Sequence, residues 1–155
     1  MADEPDKVMR RYGEALAGSQ AGDREGARSQ FAVLWDEVGD DGDALHRCAI
    51  AHAMADVQDD VHEELVWDQR ALAAANELSD ERAAAAGVAS PVAAFFPSLH
   101  LNLGDAYRRL GDLDRAREHL DLATAALDAL PADGYGAMVR TGLVRLRERL
   151  DGGGG

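Results

Sequence analysis

The chain has 155 residues, of which 46% are hydrophobic, 29% charged and only 5% aromatic. Such a composition is not that of a disordered chain, and the length is that of a single domain able to bury roughly 68–70% of its unfolded surface. The formal charge of −13 opposes phosphate backbones and anionic lipid, so neither nucleic acid nor membrane is expected as a partner, and no apolar run approaches the roughly 20 residues a bilayer requires.

Alanine is abundant, proline rare and β-branched or aromatic residues few, a balance that favours close-packed helices, and the fold class expected is all-α. The charge is uneven: residues 1–78 carry 18 acids against 7 bases, while residues 79–155 carry 11 against 9, so the acidic field comes from the first half. Cys48 stands alone and cannot form an internal disulfide. The opening Met-Ala-Asp-Glu-Pro-Asp lacks the basic and apolar regions of a signal peptide, which makes a cytoplasmic location the expectation. Lys7 is the one lysine among 16 basic residues, and together with the alanine content this suggests a GC-rich bacterial coding sequence.

In chain order, the first hairpin (5–39) has Tyr12, Ala15 and Leu16 before Gly22-Asp23, then Ala27, Phe31, Leu34 and Val38 after it. Apolar residues three or four apart on both sides of a tight turn read as two antiparallel helices. A second hairpin (43–78) follows, with Leu45, Ala49, Ile50, Ala53 and Met54 in one helix. Val61, Leu65, Trp67, Ala71, Leu72 and Ala75 form the other, which Asp60 and Glu63 open with capping-box spacing. The stretch 79–96 is an insert: Ser79-Asp80-Glu81 onward can extend a helix, Gly87, Ser90-Pro91 and Pro97 interrupt it, and Phe95-Phe96 add aromatic bulk. The clearest hairpin is the third (97–131). Leu99, Leu103, Ala106, Tyr107 and Leu110 form its first stripe, Gly111-Asp112 the turn, and Leu113, Ala116, Leu120, Ala123, Leu127 and Leu130 the second, with Pro97 at the start and Pro131 at the close. Residues 135–150 form a last amphipathic helix through Val139, Leu143, Leu146 and Leu150, with Arg140, Arg145, Arg147 and Arg149 off the stripe, and 152–155 reads as a flexible glycine tail.

The run Leu103-Gly104, Tyr107, Gly111, Ala116, Leu120, Ala123 resembles a tetratricopeptide repeat, in which small residues let two helices cross closely and large ones fill the gaps between hairpins. Residues 9–40 keep Ala15, Gly22, Ala27 and Phe31 of this pattern but place Gly18 where it prefers an aromatic. Residues 45–77 keep Ile50, Ala51, Met54 and Ala71-Leu72, with an extra residue in the turn Gln58-Asp59-Asp60. The resemblance covers about two thirds of the chain. It implies a right-handed α–α superhelix whose first helices line a concave groove, closed at the end by the helix at 135–150 as a cap.

Carried over position by position, the resemblance implies a partner-binding wall from Tyr12 of the first hairpin and Cys48, His52 and Asp56 of the second. The third contributes Leu101, Asn102, Asp105, Arg108 and Arg109. The carboxylate clamp of some family members uses Lys, Asn and Arg. The matching places here hold Cys48, His52, Ser98 and Asn102, so only Asn102 fits, and a basic or neutral peptide suits the acidic first half better than an acidic one.

Other chemistries meet plainer explanations. His52 and Asp56 lie four apart, as two metal ligands on a helix would, with His46, His62, Asp60 and Cys48 as further donors, yet a polar helix face accounts for the same residues. A catalytic Cys48 would need a base and a cationic setting, whereas its flanks are largely acidic. Ser90 and Ser98 sit where hydroxyls cap helices. The acidic turns at 39–43 and 56–60 lack a twelve-residue calcium loop and read as helix caps. Trp35, Trp67, His100 and His119 read as packing residues. No nucleophile elbow or phosphate loop occurs. The expected function is therefore a non-enzymatic scaffold for a protein or peptide, without a cofactor or metal. Two alternatives stay open: a small metal- or ligand-sensing domain around His52 and Asp56, and a self-associating module or homodimer using Phe95-Phe96 or the arginines of the last helix.

Overall fold

The structure is a computed structural model that describes residues 6–88 and 91–152. The expectations for Ser90 as a helix cap and for most of the glycine tail lie outside the described residues. Within them the regular structure is all helical, and no strand occurs: α1 (Lys7–Gln20), α2 (Arg24–Val38), α3 (Ala44–Asp56), α4 (Val61–Glu77), α5 (Asp80–Ala85), α6 (Phe96–Arg109), α7 (Leu113–Ala125) and α8 (Gly134–Asp151). Short 3-10 turns occupy Val92–Phe95 and Leu127–Ala129. The chain divides into two compact units, Met1–Leu78 with α1–α4 and Ser79–Gly155 with α5–α8. No described helix is long and apolar enough to cross a membrane.

The helix starts follow from side-chain chemistry. Carboxylates of Asp6, Asp23, Asp43, Asp60, Asp112 and Asp133 accept hydrogen bonds from the first free amides of α1, α2, α3, α4, α7 and α8. Each satisfies a backbone donor that a helix N-terminus leaves open. The acidic turns around Asp43 and Asp60 are thus explained as caps. Gly22 and Gly111 join the helices of their hairpins at φ of 103° and 84°, a left-handed backbone that a side chain would strain.

Two boundaries differ from the sequence reading. The helix ending at Glu77 does not run on into the insert: Leu78 turns extended, and the Ser79 hydroxyl caps a separate short helix, α5, at the Arg82 amide. At the end of the third hairpin, α7 stops at Ala125 and a 3-10 turn carries the chain to Leu130, so Pro131 follows the helix at a distance.

In the first unit, α1 pairs with α2 and α3 with α4, and α2 also packs on α3. Phe31, Ile50 and Ala71 have no exposed surface and Leu34 has 1%. The Tyr12 and Phe31 rings lie 5.9 Å apart, while Trp35 and Trp67 meet edge-on at 5.1 Å with the Arg70 guanidinium 4.4 Å over Trp67. Both tryptophans therefore join α2 to α4, as their stripe positions foretold. His46 Nε2 contacts Asp6 Oδ2 at 2.6 Å and ties the start of α1 to α3.

In the second unit, α6 and α7 form a hairpin with Leu103, Ala106, Ala116 and Ala123 at 1% exposure or less. The stripe Val139, Leu143, Leu146, Leu150 of α8 is buried, and α8 packs on both helices of the hairpin. Gly104 makes this approach possible: a Cβ there would stand 2.9 Å from Leu146 Cδ2 and 3.3 Å from the Ala116 carbonyl oxygen.

Candidate functional site

The residues expected to bind a partner fall into three groups. In the first unit, Cys48, His52 and Asp56 succeed one another at four-residue spacing along α3, and Tyr12 of α1 lies within electrostatic reach of Cys48 and Asp56. Burial raises the Tyr12 phenol above its ordinary value, with the Asp56 and Cys48 charges adding to the effect. Asp56 reaches solvent, but partial burial of its carboxyl raises its pKa, against the pull of His52 and Arg24. The buried Nδ1 of His52 has no hydrogen-bond partner among the described residues. Among the described residues no three His, Cys, Asp or Glu side chains converge as a metal would require.

Cys48 is buried, and that burial pushes its thiol to about 11, with Arg47 opposing. A thiol at that value holds almost no thiolate at neutral pH. Alkylation of the native protein by iodoacetamide at pH 7.5 is expected to run at least ~100-fold slower than that of the urea-unfolded chain, whose thiol has the ordinary value near 8.5. Equal rates would show the thiol accessible and ionised.

In the second unit, Leu101 and Asn102 of α6 line a groove of about 500 Å³ together with Ser98 and, from α8, Met138, Gly142 and Arg145. The floor is apolar. Met138 is 64% exposed, more than any other large hydrophobic side chain among the described residues. Gly142 shapes the wall, because a Cβ there would come within 2.7 Å of Leu101 Cδ2; its absence lets Leu101 lie against the α8 backbone. Arg145 is the charged residue of the lining, and Ser98 and Asn102 add hydrogen-bonding groups at the rim.

The third group is an ion cluster. Asp105 Oδ1 accepts hydrogen bonds from Arg108 Nε and Nη2 at 3.1 and 2.9 Å, and Oδ2 accepts one from Arg109 Nε at 3.1 Å. Arg149 of α8 approaches at 3.8 Å. Asp105, Arg108 and Arg109 thus hold one another beside the groove and are not displayed singly, and in this partly exposed setting the network fixes side-chain geometry more than it adds stability.

A second groove of about 740 Å³ runs between α7 and α8 over Leu127, Leu143 and Val144, rimmed by Arg140 and Arg147. Among the described residues those guanidiniums donate to neutral oxygens, the Leu127 carbonyl at 3.4 Å and the Thr124 hydroxyl at 3.3 Å. Phe95 and Phe96 of the insert are half-buried, with Phe96 against His100.

The sequence reading did not single out Met138, Gly142 or Asp68. The first two carry one signal, an apolar and a small residue lying off the buried stripe of α8 on the side that α6 approaches. Asp68, 2% exposed, is the buried charged residue among those described, and it follows Trp67 on α4 without any pattern that would mark it. No family model, curated protein or solved structure matches the chain.

Proposed function

We propose that this chain is a non-enzymatic scaffold that holds a peptide or helix of another protein, and that the groove between α6 and α8 is where the segment lies. Single apolar residues exposed on a surface are ordinary, but a concave, apolar strip with hydrogen-bonding groups at its rim is the form that peptide-binding sites take. The observation that carries this reading is the exposed Met138 facing Leu101 and Asn102 across one groove. The reading takes the hairpins as tetratricopeptide-type units of a right-handed superhelix. In its support, the positions where that motif calls for small residues, Ala15, Ala27, Ala51, Ala71, Gly104, Ala116 and Ala123, are all buried. At long range the charge of −13 favours a neutral or basic partner.

A photo-crosslinking amino acid in place of Met138 tests this in cells of the source organism. A small, reproducible set of protein adducts is expected, reduced at least ~10-fold by Leu101→Asp and absent when the same group replaces Val33 on α2, since loss of a buried apolar anchor costs about 1.4 kcal/mol or more. Adducts indifferent to Leu101, or equal yields from both sites, would reject the groove.

A further inference from the structure

His100 of α6 and His119 of α7 meet at Nδ1, 2.9 Å apart, across the two helices of the hairpin. Their ring centroids are 5.2 Å apart and their planes 26° from parallel, so the rings meet edge to edge along the line of the nitrogens. A nitrogen-to-nitrogen contact of this length requires one N–H and one lone pair, so one ring keeps its proton on Nδ1 and the other accepts it. Aromatic neighbours hold the rings in place: Phe96 lies 6.2 Å from His100, and Tyr107 lies 5.4 Å from His119 with its plane only 9° away.

We propose that the His100–His119 pair is a pH-sensitive clasp between α6 and α7, closed with no added proton or with one, and opened when both imidazoles are charged. The neutral pair makes one N–H···N bond. A first proton converts it to a charge-assisted bond of the same shape, because one donor and one lone pair still face each other. A second proton removes the remaining lone pair and sets two like charges about 3 Å apart, so the contact has to break.

The surroundings make that second proton costly. Burial lowers both imidazoles from the usual histidine value; His119 adds to the effect on His100, while at His119 Glu118 pulls upward and Arg115 downward. On α6 the near titratable side chain is the Tyr107 phenol, and the 3-10 turn Val92–Phe95 that packs on α6 has no titratable group. From α8, Leu146 approaches Gly104 beside His119, while Arg149 turns to Asp105, Asp151 to Arg117, Arg140 to Leu127 and Arg147 to Thr124.

The sign follows from linkage. Folded histidines that titrate below the unfolded value of about 6.5 bind fewer protons than the unfolded chain, so their contribution is fully present above about pH 6.5 and is lost as pH falls through the lower folded values. His100 precedes Leu101 in α6, so an open clasp also disturbs the groove wall. That consequence for binding rests on the proposed function, whereas the clasp does not.

Imidazole titration by 15N NMR on the full chain, with thermal melts of wild type and His119→Phe, tests the clasp. The expected result is two steps for His100 and His119, about one pH unit or more apart, the lower accompanied by amide shifts along α6 and α7. The wild-type melting temperature should fall more steeply between pH 6.5 and 5 than that of His119→Phe. Two independent single-step curves near the ordinary histidine value, or equal pH slopes for the two proteins, would overturn the proposal. Should His119→Phe fail to fold, the wild-type titration decides alone.

Discussion

Replacing Phe31 with alanine is expected to lower the stability of the first unit by about 3–5 kcal/mol. The ring has no exposed surface and packs against Tyr12, whose own ring lies 5.9 Å away, in a core where half of the other buried apolar residues are small alanines. Alanines cannot move in to fill the space a lost ring leaves, so the cavity persists and the cost sits toward the upper end of that range. For a unit of this size each kcal/mol corresponds to roughly 4–8 °C in melting temperature, so a fall of more than ~12 °C should be seen by calorimetry or circular dichroism. A change under ~4 °C would mean that Phe31 is not the centre of the packing between α1 and α2.

The second large effect concerns the seat of α8. Leu146 is 1% exposed, and its Cδ2 occupies the space that a Cβ on Gly104 would enter. Leu146→Ala is expected to cost about 2–5 kcal/mol in the second unit. Gly104→Ala has two opposing consequences: alanine favours the helix by about 1 kcal/mol, while the new methyl crowds Leu146 and the Ala116 carbonyl. Once Leu146 is alanine most of that crowding disappears. Gly104→Ala should therefore be more favourable in the Leu146→Ala background than in the wild type, by about 0.5–3 kcal/mol in a double-mutant cycle of urea melts. Strict additivity would mean that α6 and α8 do not touch at this point.

Much of the helical layout was legible because its signals are local. Gly111-Asp112 and the two flanking stripes delimit α6 and α7, and Val139, Leu143, Leu146 and Leu150 define the buried side of α8. The aspartate caps were equally readable, since an Asp ahead of a periodic run has few other uses. The second hairpin was bounded at 78, but that the insert begins a separate helix was hidden because Asn76 to Ala86 is all compatible with helix. What stops α4 is the extended Leu78 and the Ser79 cap, which compete with a continuous helix on nearly equal terms.

The candidate site was half legible. Leu101 and Asn102 were set on a groove wall by the repeat resemblance, but their counterparts Met138, Gly142 and Arg145 lie more than thirty residues away, and their meeting depends on how α8 is rotated against α6. Likewise the His100–His119 contact depends on the relative register of two helices, which the turn at Gly111 constrains only to within a residue or two. Asp105, Arg108 and Arg109 were expected on the partner-binding wall, and their spacing at i, i+3 and i+4 already allowed the mutual pairing that the structure shows. Tyr12, Cys48, His52 and Asp56 share one neighbourhood.

The groove between α6 and α8 is the centre of the functional account, and chemical-shift mapping of the 15N-labelled protein tests it most directly, with a peptide from a cross-linked partner as the titrant. The account predicts saturable shifts concentrated at Ser98, Leu101, Asn102, Met138, Gly142 and Arg145, abolished by Leu101→Asp in a protein that still melts cooperatively. Shifts centred on the outer face of α2 around Val33, or a saturable response that survives Leu101→Asp unchanged, would contradict it.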